Sequence, residues 1–422
     1  MSLRLEAYKI LKGVVLEKKY SNHLLNNMHK ENNFSGLDQK NITRIVLGTL
    51  QNAKYLDYVT TKMISKKATP KKIQILIWMS LYQMKFMERV PNYAIISEAV
   101  EVAKKEFSKF AGLINAVLKN AIANEKERFN ITVKGNERLL IKTSFETSLF
   151  EQIKNDFSSE VAIKVAEDSL NIPPISLRTN TLKISREQLL EQFTEDFDLV
   201  SSNISKSGVI SARPIITSEM FKRGFVNVQD QASILVGEVL DPKPNEVVLD
   251  MCSAPGGKLT HLSALMNNTG FIDAYELAGY KIKYIEENIA RLDCKNIKLF
   301  NVDATKINAV EKYDKILLDA PCSGFGVLKR KPEIKLVGLN RTKINSLINI
   351  QKNLLNKAYN ALKIDGILVY STCTISKAEN QNQIDNFRLD HPDMVLLEEH
   401  QFFGYENNTD GFYIAKLAKL DN

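Results

Sequence analysis

Val247-Val248-Leu249-Asp250 runs directly into Met251-Cys252-Ser253-Ala254-Pro255-Gly256-Gly257-Lys258. A short apolar run ending in an acid reads as a buried strand, and a helical pattern begins at Leu259. A glycine-rich turn after the first strand of an α/β sheet is where nucleotide-like ligands bind, because glycine lets the backbone approach them closely. The turn is not GxGxxG, and it lacks the Gly-Lys-Ser/Thr ending of a phosphate-binding P-loop. A loop around a nucleoside is therefore expected in preference to a phosphate cradle.

Downstream, residues 271–276, 297–302, 315–319 and 367–371 join 246–250 as expected strands, with helical stretches between them. That alternation predicts a parallel sheet with helices on both faces. Residues 394–397 and 412–417 are expected as an antiparallel pair at its edge. Glu276 closes the second strand, at the distance where an acid meets ribose hydroxyls. Asp303 closes the third and can accept from an adenine amine. Each alone reads sooner as a solvated acid at a strand end; together with the glycine loop they point to a nucleoside cofactor.

Upstream, the first 125 residues read as an all-α bundle. Leu3, Ala7, Ile10, Leu11 and Val14 repeat at helical spacing, as do Ile42, Ile45, Val46 and Leu50, and later Ile73, Leu76 and Ile77. Pro70 and Pro91 punctuate these helices. Residues 126–143 are polar and are expected as a linker. Residues 144–240, with β-rich pieces at 175–177 and 209–210, are expected as a small α+β domain, and 241–422 as the α/β domain. Two or three domains suit 422 residues, of which 44% are hydrophobic and 25% charged, a composition that excludes a disordered chain.

The net charge of +8 is unevenly spread. Residues 1–140 hold 24 Lys and Arg against 12 Asp and Glu; the rest hold 33 against 37. A basic N-terminal third fits a module that meets a polyanion such as nucleic acid, and equally a solvated lysine-rich helical face. Four cysteines with no CxxC pair exclude a disulfide scaffold and a zinc ribbon, and the five histidines show no ligand spacing, so no metal is expected. No signal peptide and no apolar run of about 18 residues is present, which leads us to expect a cytoplasmic protein without a membrane span.

Two cysteines stand out. One strand leads into Asp319-Ala320-Pro321-Cys322-Ser323-Gly324, another into Ser371-Thr372-Cys373-Thr374, so both lie at carboxyl ends of strands, on the ligand-binding edge. A lone cysteine is usually a small buried hydrophobe. Two on that edge suit attack on a pyrimidine. C5 of cytosine is a poor nucleophile, but a thiolate adding at C6 makes it enamine-like and able to accept a methyl group. An acid near N3 stabilises the adduct, a base removes the C5 proton, and the thiol leaves. Because a free thiol titrates near 8.5, the site must deprotonate it. Cys252 is assigned packing beside the loop, and Cys294, at a surface-like helix end, no role.

These blocks, with Glu379-Asn380, resemble the signature blocks of the S-adenosylmethionine-dependent RNA cytosine-C5 methyltransferases of the RsmB/Sun/Fmu, NOL1/NOP2 family. Residues 225–231 and 410–415 resemble that family's opening and closing blocks, and Leu177-Arg178-Thr179-Asn180 a block of its RNA-binding domain. Leu81-Tyr82-Gln83, Val90-Pro91, Ser97-Glu98-Ala99-Val100 and residues 112–118 resemble a NusB-type RNA-binding domain. The combination is that of the RsmB branch, which methylates 16S ribosomal RNA in bacteria. The resemblance thus implies a NusB-like helical domain, a small RNA-binding domain and a Rossmann-like catalytic domain. It implies Cys373 as nucleophile, Cys322 in product release, and Asp319 contacting both cofactor region and cytosine. It implies that Cys252, Ser253, Ala254, Pro255, Gly256, Gly257, Lys258, Glu276, Asp303 and Asp319 hold S-adenosyl-L-methionine.

Gln381, Phe325 and Leu336 depart from the family's usual residues, the last two on the segment expected to face RNA. Lys329, Arg330, Lys331 and Lys335 form a basic patch after Cys322, read as a phosphate grip that positions without specifying, against a plain solvated loop. The expected protein is a monomer acting on 16S RNA, free or in an assembling subunit. Its rivals are a DNA cytosine methyltransferase using Cys322 and a non-enzymatic, antitermination-like RNA-binding factor.

Overall fold

The computed structural model describes residues 2–31 and 33–421. They form two compact units: Met1–Asn171 with Leu328–Leu339, and Ile172–Val327 with Asn340–Asn422.

The first unit is helical throughout. Its principal helices are Leu3–Glu17, Ser21–Glu31, Gly36–Gln51, Ala53–Thr61, Lys71–Phe86, Asn92–Phe107 and Ala111–Ala123. Lys71–Phe86 is buried on nearly every side, which explains why its sequence is apolar almost all round. Pro70 and Pro91 sit at the N-caps of the fifth and sixth of these helices, where a missing N–H breaks no ladder.

The unit corrects three expected boundaries. Residues 126–143 are not a linker: Phe129 and Ile131 enter the helical core, and Gly135–Lys142 is a helix that buries Leu140 and Ile141. Helices Thr147–Asp156 and Ser159–Asp168 belong to this unit, so the expected 144–240 domain divides after Asn171. And Leu328–Leu339, expected as part of the catalytic domain, lies here.

Lys335 shows why. Its side chain is 1% exposed, and Nζ donates to Gln51 O and Thr143 O, each at 3.1 Å, and to Ser169 Oγ at 3.3 Å. Gln51 ends one helix, and Thr143 and Ser169 are the C-caps of two others. One ammonium thus meets three helix C-termini, where backbone carbonyls lack partners and the dipole is negative. Burial alone pushes this amine down to about 7, while its three acceptors favour the ammonium. Glu333, also buried, accepts from Ser21 N and Oγ at 3.0 Å, and Lys329 pairs with Asp168 at 2.9 Å.

Lys335→Met leaves the helix-end carbonyls of Gln51 and Thr143 without this donor, and we expect a loss of about 2–4 kcal/mol from this unit. Trp78, the single tryptophan, lies in the Lys71–Phe86 helix and reports its unfolding. A urea midpoint by Trp78 fluorescence unchanged from wild type would refute the anchor.

The second unit holds two sheets. The smaller is antiparallel: β1 (Ile175–Thr179), β2 (Leu199–Ser201), β3 (Gly208–Ser211) and β4 (Val226–Val228), in the order β2-β3-β1-β4. The larger has β5 (Val247–Asp250), β6 (Phe271–Tyr275), β7 (Ile297–Phe300), β8 (Tyr313–Asp319), β9 (Leu362–Thr372), β10 (Met394–Phe402) and β11 (Phe412–Lys419), in the order β10-β11-β9-β8-β5-β6-β7. β5 to β9 are parallel; β11 runs antiparallel to β9 and to β10, the expected edge pair.

In β8, Ile316 and Leu318 face one core and Leu317 the other. Burial on both faces makes a parallel strand read as an uninterrupted apolar run. The order of crossovers reverses at β5, with β6 and β7 on one side and β8 and β9 on the other. The crevice at the carboxyl ends of β5 and β8 is therefore the switch point where such sheets bind ligands. Among the described residues no helix is long and apolar enough to cross a membrane.

Candidate active site

Three turns converge on that edge. The first follows β5. Gly256 has φ +96°, which an L side chain adopts only with strain, and it caps the helix Gly257–Leu265. Ser253 Oγ donates to Asp250 O at 3.2 Å and Cys252 N to Asp250 Oδ1 at 3.3 Å. Ala254 N donates to Glu276 Oε2 at 3.3 Å, tying the loop to the end of β6, and Pro255 O accepts from Asn288 Nδ2 at 2.9 Å. Glu276 Oε1 takes Ala278 N at 2.8 Å. Asp303 spends one oxygen on Thr305 N at 2.9 Å, capping its own short helical turn.

Asp250, not singled out from the sequence although it immediately precedes the loop, is 1% exposed. Burial, reinforced by Asp319's charge, raises its carboxyl to about 7. Its Oδ2 has no protein partner. The thiol of Cys252 is pushed well up by burial and by Asp250, Asp319 and Glu276, so it stays neutral. Cys294 is not a surface residue as expected: it is buried, with Sγ 3.9 Å from Thr260 O.

The second and third turns follow β8 and β9. Asp319 and Ser371 are register partners, so the chain leaves both strands at one level. Three residues on, Cys322 Sγ lies 3.4 Å from Cys373 Sγ. Asp319 is held on both oxygens, by Lys258 Nζ and by Ser371 Oγ, each at 2.8 Å. Lys258 thereby joins the glycine loop to the cysteine turns.

Glu379, to which the sequence alone assigns no role, clamps these turns. It accepts from Ser323 N at 2.9 Å, Ser323 Oγ at 2.6 Å and Gln351 Nε2 at 3.2 Å; Ser323 Oγ also meets Thr374 Oγ1 at 2.8 Å. Asn380 takes Thr372 Oγ1 at 2.5 Å and donates to Thr374 O at 2.9 Å, fixing both neighbours of Cys373. Gly326 N donates to Cys373 O at 3.0 Å, and a Cβ on Gly326 would stand 1.7 Å from Gly411 O, so only glycine fits.

The cysteines are unequal. The hydrogen bond with Cys373, then burial, then the charges of Cys373, Glu379 and Asp319 push the Cys322 thiol well up. Cys322 is therefore held as the neutral thiol beside Cys373 Sγ, and either sulfur can be the donor in the 3.4 Å contact.

The basic patch is not where the sequence reading put it. Lys335 and Lys329 are occupied within the helical unit by the partners described above, so neither offers a free cation to a phosphate. Leu336 packs on the helical core and Phe325 is buried. Arg330 and Lys331 are half-buried on the same segment. Gln381 opens the helix Gln381–Asp390 and donates to Gln401 Oε1 at 3.4 Å. Among the described residues no cluster suits a metal ion.

A doubly wound sheet with this loop at its switch point matches, over residues 237–418, the family model described as 16S rRNA methyltransferase RsmB/F. The class is thus that of the S-adenosylmethionine-dependent methyltransferases. The residues fit that cofactor: Gly256, at φ +96°, leaves the turn without a side chain there, Glu276 directly follows β6, and Asp250 keeps a buried oxygen unpartnered. Residues 1–123 match the NusB family model. The chain is 35% identical to the probable ribosomal RNA small subunit methyltransferase B of Bacillus subtilis, over 99% of each chain. Its fold is similar to the crystal structure of PH0851, with TM-score 0.82, 26% identity and 99% of each chain covered. It is also similar to NSun6 from Pyrococcus horikoshii with SFG, with TM-score 0.60 and 26% identity, over 66% of this chain and 99% of that one. The chain belongs to the ribosomal RNA small subunit methyltransferase B family.

Proposed function

We propose that the protein methylates C5 of an unpaired cytosine in 16S ribosomal RNA through a transient bond between Cys373 and C6. The observation that carries this reading is the pair of thiols 3.4 Å apart at the ends of two register-matched strands, beside Asp319. Residues 252–258 with Glu276 and Asp303 hold S-adenosylmethionine, which when bound supplies the methyl group that enters at C5.

The chain's own residues do the rest. The Cys373 thiolate forms a bond to C6, and the electron pair of the C5–C6 double bond moves towards C5 and the N3 side of the ring. Asp319, fixed by Lys258 and Ser371, lies beside this centre to stabilise the charge that develops on the ring. After methylation the C5 proton passes to a base, the S–C6 bond breaks, and its electron pair returns to Cys373 as the double bond re-forms. Cys322 is the thiol placed to assist that last stage. The target base leaves its stack, because C6 is shielded within one. The basic N-terminal helical unit supplies the sequence-independent attraction for RNA phosphates.

Unmodified 16S RNA incubated with the protein and tritiated S-adenosylmethionine is expected to gain label at C5 of cytosine, read by nuclease digestion and nucleoside separation. Label at another atom, or none on either free 16S RNA or small-subunit particles by a preparation that binds the cofactor, would overturn the reading.

A further inference from the structure

Arg178 lies within β1, and its side chain is fully buried. Among the described residues no carboxylate pairs with it. Taking a guanidinium out of water without a counter-ion is costly, and an apolar side chain of similar length would fill the space without that cost. What the guanidinium does must therefore lie in its donors. Nη1 donates to the carbonyl oxygen of Gly257 and to Gln229 Oε1 at 3.2 Å, and Nη2 to Thr260 Oγ1 at 2.9 Å. Thr260 Oγ1 in turn donates to Gly256 O at 2.7 Å. Arg178 thus reaches both glycines of the loop, one directly and one through Thr260.

Gln229 is itself oriented, since its Nε2 donates to Ser233 O at 3.0 Å, which turns its oxygen towards Arg178. A Cβ on Gly257 would stand 3.3 Å from that oxygen, so the loop, Gln229 and the guanidinium are in close contact. A glycine pair is conformationally free on its own; Gly256 N on Ser253 O at 2.7 Å and Thr260 N on Gly256 O at 3.0 Å hold the turn from within, and Arg178 adds the hold on the Gly257 carbonyl from outside it.

We propose that Arg178 is a positioning residue for S-adenosylmethionine: from the small sheet it holds the Gly256-Gly257 turn in its binding shape. This rests on the reading that residues 252–258 hold the cofactor. The small sheet, which the sequence assigns to RNA, then also sets cofactor affinity.

The test uses the full chain as wild type, Arg178→Met, Arg178→Lys and Thr260→Val. Cofactor Kd comes from calorimetry with S-adenosylmethionine, and kcat and both KM values from methyl transfer to 16S RNA. In Arg178→Met we expect cofactor Kd and KM to rise by roughly tenfold or more. The kcat at saturating cofactor should stay within about threefold and the KM for RNA should not move. Arg178→Lys shifts the same way, since one ammonium does not reproduce the planar fork. Thr260→Val shifts it less, and it carries the test should Arg178→Met not fold. Equal cofactor Kd in wild type, folded Arg178→Met and Thr260→Val would overturn the inference alone, as would a fall in kcat with cofactor KM unchanged. Absence of binding by the wild type would overturn the cofactor reading and this inference with it.

Discussion

Cys373→Ala is expected to lose methyl transfer by roughly 10⁴-fold or more while binding S-adenosylmethionine as the wild type does. The size of the effect follows from the chemistry of cytosine. Its C5 takes a methyl group only after a nucleophile has added at C6, so removing that nucleophile removes the route itself. The variant is also clean structurally. Cys373 is held through its backbone, by Gly326 N on its carbonyl, and through its neighbours Thr372 and Thr374, both bound to Asn380. None of these contacts uses the thiol, so alanine leaves the turn in place. Cys373→Ser should be nearly as inactive, because a hydroxyl in this site is not ionised near neutral pH. Single-turnover transfer of tritium to 16S RNA, with cofactor titrated in parallel, reads both halves. Transfer at even a tenth of the wild-type rate would remove Cys373 from the role of nucleophile.

Why the sheet could be read from the chain while the basic patch could not is a matter of range. A strand such as β8 is buried on both faces, so its pattern is local and continuous, and the acid ending it marks the functional edge. The cysteines were legible one at a time, each after such a strand. Their meeting at 3.4 Å, across 51 residues of sequence, depends on the register of Asp319 with Ser371, which no local pattern encodes. Lysines 329 and 335 were misread because charge in a sequence is taken as solvent-facing. The acceptors that hold Lys335 come from positions 51, 143 and 169, ends of three helices that only folding brings together. The polar stretch 126–143 was misread for a related reason: its exposed face sets its composition, while Phe129, Ile131, Leu140 and Ile141 do the packing. Arg178 was visible as part of a motif, but the Gly257 carbonyl it holds is 79 residues away.

Cys322→Ala is expected to fail in a different way, by trapping the reaction after Cys373 has bonded to C6. In the free enzyme the thiol of Cys322 is held well above its ordinary range, first by its hydrogen bond with Cys373 and then by burial. It is therefore a proton-bearing partner to Cys373. Once Cys373 Sγ carries a carbon substituent it is no longer an anionic acceptor. The largest cause of the raised pKa disappears at the stage where a base is needed near C5. Cys322 is thus lowered towards its ordinary range at that stage, while burial and the charges of Glu379 and Asp319 still raise it, so its own proton passes to solvent before the thiolate takes the one on C5. Removing it should lower turnover by about 10²–10⁴-fold, the usual worth of a positioned general base. Protein–RNA adduct should accumulate as a band of reduced mobility on a denaturing gel. The adduct should vanish in the Cys322→Ala/Cys373→Ala double variant, which has no thiol left to form it. Adduct in Cys373→Ala and none in Cys322→Ala would exchange the two roles and favour the Pro-Cys nucleophile of the DNA-type reading. Normal turnover by Cys322→Ala would leave the 3.4 Å contact without a part in release, and the base would then have to be sought elsewhere in the site, with Asp319 the nearest held carboxylate.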